Sequence, residues 1–408
     1  MTLLAVFVAL IFSYGLVSAR LERTVLTAPI LFTTAGMVVF LVFPALPERG
    51  KGIDVFLRLA EAGLVLLLFT DASRTDLKVL RSIRALPVRL LSTGLLLTLL
   101  LGTLVALVLF RQLSVFEAGI LGAILAPTDA GLGQVIVNSP RVPLKIRQAL
   151  NVEAGLNDGL SVPFLLFFIA MASNATVSQD VRLGRLILEQ LGYGAAVGAG
   201  IGLAGGWLLG WARKRDWMSA AFVPLAVVAL PLLCAVASEA AAASMFIAAF
   251  VTGLAVQIGF KETGQHSVEF TEGWGQFLNL SVFFLFGMLI ARDWRDFTAM
   301  HLAYAVLSLT VVRMLPVAIA LLGTGLHRTT VLFMGWFGPR GLASIVLALV
   351  YLEHAHPHPA TGTIRSVVMV TVLLSILAHG LSAVPGIRLY AQKLPMLPSN
   401  APEREPIW

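Results

Sequence analysis

The sequence predicts an all-α polytopic membrane protein of about thirteen transmembrane helices: an inverted repeat of six plus six around a linker helix, with two crossing discontinuous helices. Three observations carry this. The 408 residues are 58% hydrophobic and 12% charged, against about 25% charged in an ordinary soluble domain. Apolar runs long enough to cross about 30 Å of hydrocarbon recur from end to end, and they are continuous rather than alternating, which selects helices over a barrel. Two of the runs are interrupted by Gly and Pro at corresponding places in the two halves.

The predicted spans cover 2–19, 26–46, 53–73, 88–110, 117–137, 148–173, 185–212, 217–237, 240–258, 273–290, 297–323, 330–352 and 363–387. The first has no basic residues ahead of it and reads as a retained span rather than a cleaved signal. Six spans, a linker and six more place the halves in opposite orientation. This gives one transporter domain over 1–390, with a first repeat of about 1–173, a linker helix of about 185–212, a second repeat of about 217–390 and a short cytoplasmic tail, 391–408. The fifth span contains Ala126-Pro127-Thr128-Asp129-Ala130-Gly131. The fifth span of the second half contains Gly338-Pro339-Arg340-Gly341. Such paired interruptions mark helices that break near the midplane. In the linker, Gly194, Gly198, Gly202, Gly206 and Gly210 form one bare ridge, suited to close packing within the chain or across a dimer.

Charge gives the orientation. With the N-terminus outside, and with Arg89, Arg185 and Arg365 at span ends counted with the adjoining loops, odd-numbered loops and the tail hold 18 basic residues and even-numbered loops hold 8, while Arg58, Arg313 and Arg340 lie deeper inside spans. An N-out, C-in chain in the cell (inner) membrane follows from the positive-inside bias. The loop with Arg74, Lys78, Arg81, Arg84 and Arg89 is the strongest anchor. The net charge of +7 is explained by these loops, so nucleic acid is not an expected partner. Cys234 is the one cysteine, and no disulfide within the chain is possible.

Ionisable residues inside spans are costly and point to function. The first half holds Asp71, Asp129, Glu153 and Asp158, with Thr128 and Asn157 near them in sequence. The second half holds Glu239, Arg313 and Arg340. On a helix, Glu153 and Asn157 share one face, and Ala154 and Asp158 share the next. A small neighbour leaves room for an ion and water beside Asp158. Asp129, at a broken point, offsets positive half-helix N-termini, and unwound carbonyls such as that of Thr128 suit a hard monovalent cation. Arg340 does the same for carbonyl ends, or pairs with Glu153. Asp158 is the expected carrier: a carboxylate in a poorly hydrated cavity holds a proton or a cation but hardly both. If only loaded forms cross, each turnover trades one for the other.

The runs Ala126-Pro127-Thr128-Asp129, Glu153-Ala154-Gly155-Leu156-Asn157-Asp158-Gly159 and Phe337-Gly338-Pro339-Arg340-Gly341-Leu342-Ala343-Ser344 resemble the sodium/proton exchanger family with the Asn-Asp signature. Leu68-Phe69-Thr70-Asp71-Ala72-Ser73 and Phe283-Phe284-Leu285-Phe286-Gly287 add to the resemblance, which covers essentially the whole chain. It implies a secondary antiporter, not an enzyme, usually a homodimer, exchanging a monovalent cation (sodium first, with lithium or potassium as alternatives) for protons. Scaffold and core parts would move past each other. It further implies that Asp158 binds the cation or proton and that Thr128 and Asp129 line the site. Asn157, Glu153 and Arg340 would form a structural polar network, and Asp71 would approach the ion from the scaffold. Members with Asn before the Asp are generally electroneutral. Ala154 departs from the family where relatives often carry a hydroxyl.

No cofactor is expected, and no phosphate-cradling Gly-Lys motif appears. A cation channel, an electrogenic antiporter, a membrane-embedded enzyme and an organic-anion symporter are the rivals. Channels favour continuous pores with symmetric filters. An enzyme would need a nucleophile or metal set, and acidic site residues disfavour an anionic substrate. Glu239 and Arg313 read as an internal ion pair or as lining of the access path, His354, His356 and His358 as a solvated outer loop, and Asn174-Ala175-Thr176 as a chance glycosylation pattern.

Overall fold

The structure is a computed structural model that describes residues 2–21, 24–43, 53–75, 85–172, 183–260, 265–354, 359–398 and 401–404. Lys78, Arg81, Arg84, the Asn174 pattern, His356 and His358 lie outside these residues. Among the described residues each of the thirteen expected spans falls on a helix or on two helix segments, and no strand occurs. They are α1 (Thr2–Leu21), α2 (Ala28–Val42), α3 (Ile53–Ser73), α4 (Ala85–Leu109), two-part α5 (Val115–Ile124 and Ala130–Val137), α6 (Leu144–Ala172) and the linker α7, whose main part is Gly194–Lys214. The second half contains α8 (Val223–Ala240), α9 (Met245–Gly259), α10 (Gln265–Asp293) and α11 (Ala299–Leu309 and Val311–Ala320). It ends with two-part α12 (Arg328–Trp336 and Leu342–His354) and α13 (Pro359–Lys393). Eight described helices are long and apolar enough to cross a membrane alone. The broken α5 and α12 are not, because each is cut into two short pieces.

Two helix pairings in the first set of contacts resemble one another. α2 packs on α10, and α9 packs on α3. If α2 corresponds to α9 and α3 to α10, these two contacts are the same contact exchanged. Both are close approaches at glycine. A side chain at Gly36 of α2 would collide with the Phe284 carbonyl of α10, and one at Gly253 of α9 with the Phe69 carbonyl of α3.

The glycine ridge of α7 is used within the chain. Gly194, Gly198, Gly202, Gly206 and Gly210 lie in turn against Ser244, Ala248, Thr252, Val256 and Gly259 of the α9 segment. The four-residue spacing of one ridge meets steps of four, and at the end three, residues on the other, so the backbones approach as in small-residue membrane packing. Cys234 is buried on α8 and accepts a hydrogen bond from the Thr252 hydroxyl at 3.2 Å.

α4, α5, α6, α11, α12 and α13 form a second set of contacts around the two breaks. At the C-terminal end, Glu403 folds back onto the start of α12. Its Oε1 accepts the His327 amide and the Thr330 hydroxyl, both at 2.7 Å. A carboxylate there complements a helix N-terminus.

Candidate functional site

The first part of α5 starts at a capping box, Ser114 with Glu117, and ends where Pro127 forbids a continuing helical hydrogen bond. Asp129 is extended (φ −88°, ψ 117°) and caps the second part, its Oδ1 accepting the Leu132 amide at 3.0 Å. In α12 the first part ends at Phe337, and Pro339 biases Gly338 away from helix.

The two breaks satisfy one another. The Asp129 amide donates to the Pro339 carbonyl at 2.8 Å. Asp129 Oδ2 accepts the amide of Leu342, the first residue of the second part of α12. One carboxylate therefore caps two half-helices, each oxygen serving one. Gly341 is required here: a side chain would overlap the Asp129 carboxylate. Arg340, fully buried, sends Nη1 to the Pro127 carbonyl at 3.0 Å and to the Gly338 carbonyl at 3.4 Å. Positive half-helix ends thus face Asp129, and carbonyls of both breaks face Arg340.

α6 passes beside this crossing with Asn151, Glu153, Asn157 and Asp158 all buried. The Asn157 amide donates to the Thr128 hydroxyl at 2.8 Å, tying α6 to the α5 break. Asp158 Oδ1 is buried and without a hydrogen-bond partner among the described residues. Asp158 is within electrostatic reach of Asp129 and Asp71. Asp71 is only part-buried on α3, near the Arg74–Glu272 ion pair at 2.6 Å. A small cavity lined by Thr128, Asp129, Asn151, Ala154, Phe337 and Pro339 among others opens beside the crossing. Thr128, Asp129, Asn157, Glu153, Asp158 and Arg340 therefore gather in one region, with Asp71 at its edge.

Of the alternatives open for the buried arginines, two ion pairs are not formed. Glu153 pairs with Arg313 of α11, not with Arg340: Nη1–Oε1 is 2.5 Å and Nη2–Oε2 is 3.0 Å, a bidentate contact of two buried side chains. Arg340 is drawn instead to the carbonyls of the broken helices. Arg313 is consequently not the partner of Glu239, which is exposed and meets Arg58 at 3.4 Å. Both breaks need a cation for their carbonyls, and Glu153 needs one for its charge; two arginines divide these jobs by which helix each stands on.

Sequence reasoning missed three contributors. Asn151 Nδ2 approaches the Thr75 hydroxyl at 3.4 Å and the Asp71 carbonyl at 3.5 Å, linking α6 to α3. Ser375 and His379 of α13 contact the α12 break. The available signal was their position as polar residues, one of them an ionisable histidine, within predicted spans.

Two broken helices that cross beside buried carboxylates are the plan shared by many secondary transporters. Within that class, the chain belongs to the sodium/hydrogen exchanger family: the family described as "Sodium/hydrogen exchanger, transmembrane" matches residues 5–388. The chain is 26% identical over 370 residues to the K(+)/H(+) antiporter NhaP of Alkalimonas amylolytica, covering 88% of this chain and 63% of that protein. It is 26% identical over 402 residues to the K(+)/H(+) antiporter NhaP2 of Shewanella sp. (strain ANA-3), covering 95% and 68%. It is 25% identical over 315 residues to a Na(+)/H(+) antiporter of Schizosaccharomyces pombe, covering 68% and 65%. The chain thus spans about two thirds of the length of these relatives. Its fold is similar to that of the sodium proton antiporter MjNhaP1 from Methanocaldococcus jannaschii at pH 8, with a TM-score of 0.73 at 19% identity over 93% of this chain and 100% of that one.

Proposed function

We propose that this protein exchanges a monovalent cation for a proton by alternating access, with Asp158 carrying both in turn. The observation that supports this is the division of labour among the buried acids. Glu153 is held by Arg313, and both oxygens of Asp129 accept backbone amides. Asp158 alone of these three has a buried oxygen without a partner among the described residues. Thr128, tied to the neighbouring Asn157, offers a neutral oxygen, and Asp71 approaches from the α3 side. Glu153, Asn157 and Arg340 hold the geometry, with Arg313 added to that network.

Sodium is the first cation to test and potassium the second, because the relatives' names divide between them. The transporter unit is one domain of two inverted repeats about α7, acting as a homodimer in the cell (inner) membrane with the N-terminus outside and the C-terminus cytoplasmic. In that orientation the cavity beside Thr128, Asp129 and Ala154 lies toward the cytoplasmic ends of α5 and α6. The deciding experiment uses purified protein in liposomes with a pH dye and a panel of lithium, sodium, potassium and rubidium. Saturable, cation-dependent proton flux is expected, and flux that is uncoupled from protons overturns the reading.

A further inference from the structure

In a continuous α-helix, the Arg340 amide would donate to the Trp336 carbonyl, four residues earlier. The α12 break pulls this pair apart. The two groups are rejoined through side chains of α13. The Arg340 amide donates to Ser375 Oγ at 2.7 Å, Ser375 Oγ lies 3.0 Å from His379 Nδ1, and His379 Nε2 lies 2.9 Å from the Trp336 carbonyl. A carbonyl only accepts, so Nε2 carries the hydrogen and donates to it. Nδ1 of the neutral ring then accepts from the serine hydroxyl, whose oxygen accepts from Arg340. Nδ1 is also 3.0 Å from the Ser375 carbonyl, a partner it would take only if it carried a hydrogen itself. Ser375 and His379 are one helical turn apart and both buried, at 0% and 2% exposure. The Trp336 ring lies against the imidazole with centroids 5.1 Å apart, and the Trp336 carbonyl additionally accepts the Gly338 amide in a tight turn.

We propose that Ser375 and His379 are positioning residues that stand in for the missing helical hydrogen bond of α12 and so set where the break meets Asp129. The consequence reaches the site in one step. Pro339, whose carbonyl takes the Asp129 amide, and Leu342, whose amide caps the Asp129 carboxylate, flank the residue whose backbone Ser375 holds. Without the bridge, the Arg340 amide must find another partner in a region without bulk water, the Trp336 carbonyl keeps only the Gly338 amide, and the break shifts relative to α5. This rests on the proposed exchange activity for its readout.

The test compares Ser375→Ala, His379→Leu and the double variant, with His379→Gln, which keeps an N–H for the Trp336 carbonyl. Each is purified, checked for folding by thermal unfolding, and assayed for sodium- and potassium-dependent proton flux in liposomes. The expected result is an apparent cation KM raised about fivefold in Ser375→Ala and His379→Leu, the scale of one hydrogen bond, with maximal rate changed less. The double variant should be no worse than the worse single, because the two residues act in one chain, and His379→Gln should recover most of the affinity. Unchanged KM with a lowered unfolding temperature would mean that the pair is merely structural, and additive losses would mean that it is not one chain. If His379→Leu yields no folded protein, Ser375→Ala, which leaves the ring in place, decides between the same outcomes. Asp158→Asn, assayed in parallel, separates failure of the carrier assignment from failure of the bridge: exchange retained in Asp158→Asn together with raised KM in Ser375→Ala removes the first and leaves the second.

Discussion

At the scale of single residues, four acids near the crossing have four different surroundings, and these decide which is available to a cargo ion. Asp129 is engaged by two helix ends, Glu153 by a bidentate arginine, Asp71 sits part-exposed at the edge, and Asp158 is buried with a free oxygen among the described residues. Asp158→Asn keeps the volume and removes the charge, so folded protein without coupled exchange is expected; sodium-dependent proton flux in the purified variant would refute the carrier role. Arg313→Ala strands a buried carboxylate, which costs on the order of 3–5 kcal/mol when one partner of a buried pair is removed. A marked loss of thermal stability in detergent is expected, largely recovered by adding Glu153→Gln, and an unchanged unfolding temperature would contradict the pairing. Ala154 lines the cavity with Thr128 and Asp129, so Ala154→Ser should change apparent affinity or ion preference while keeping activity. Identical half-saturation for every cation would mean that position 154 does not face the ion. Much of this was legible. The helical spacing put Glu153 on one face with Asn157 and Ala154 with Asp158, and Glu153 and Asn157 do find partners, Arg313 and Thr128, while the idea of a fixed network came from the family resemblance. Which arginine met Glu153 was not legible, because two buried arginines offer the same charge and only the path of α11 past α6 distinguishes them.

At the scale of elements, the breaks in α5 and α12 were readable because Pro and Gly act on the backbone directly, whatever surrounds them. What fills the gaps was not readable. Ser375, His379 and Asn151 look like ordinary small polar residues until the crossing brings unpaired backbone groups to them. The Glu403 contact with the start of α12 has no local signature at all, since 76 positions separate it from His327. The α7 ridge shows the opposite limit: its period was plain, while its partner was left open between the rest of the chain and a second subunit. The structure assigns the ridge to α9, and that has a measurable consequence. At Gly202, added atoms would meet the backbone of Thr252 and the side chain of Ala255. Gly202→Leu should therefore force α7 and α9 apart and lower stability, with overpacking of this kind costing about 1–3 kcal/mol or more. The change should appear as reduced thermal stability of the purified protein. A variant as stable as the parent but altered only in subunit association would place the ridge at the dimer interface instead.

At the scale of the whole molecule, the exchanged pairing of α2 with α10 and α9 with α3, and the mutual capping of the two breaks, give a balanced arrangement of fixed charge. Asp129 answers two half-helix N-termini, Arg340 answers carbonyls of both breaks, and Glu153 and Arg313 cancel within one pair. None of these charges needs to change when cargo arrives. If Asp158 alone changes its load, the site has the same net charge with a proton as with a monovalent cation, and each cycle moves one against the other with no net charge. Asp129 is the residue on which this stands or falls, because a proton released from it on cation binding would make two protons trade for one cation. Both of its oxygens accept backbone amides whose alternative partners are absent from a helix start, so the electroneutral cycle requires these bonds to be kept in both loaded states. Each net charge moved would couple the cycle to roughly 2.3 kcal/mol per 100 mV of membrane potential, so the two stoichiometries differ in a way that an imposed potential reveals. In liposomes with sodium as substrate and a potassium-valinomycin potential, the proton flux should be the same at zero, positive and negative potential. A rate that scales with the potential, or a current on a supported membrane that persists through steady turnover, would show that a second group gives up its proton, and Asp129→Asn would then be expected to abolish that current.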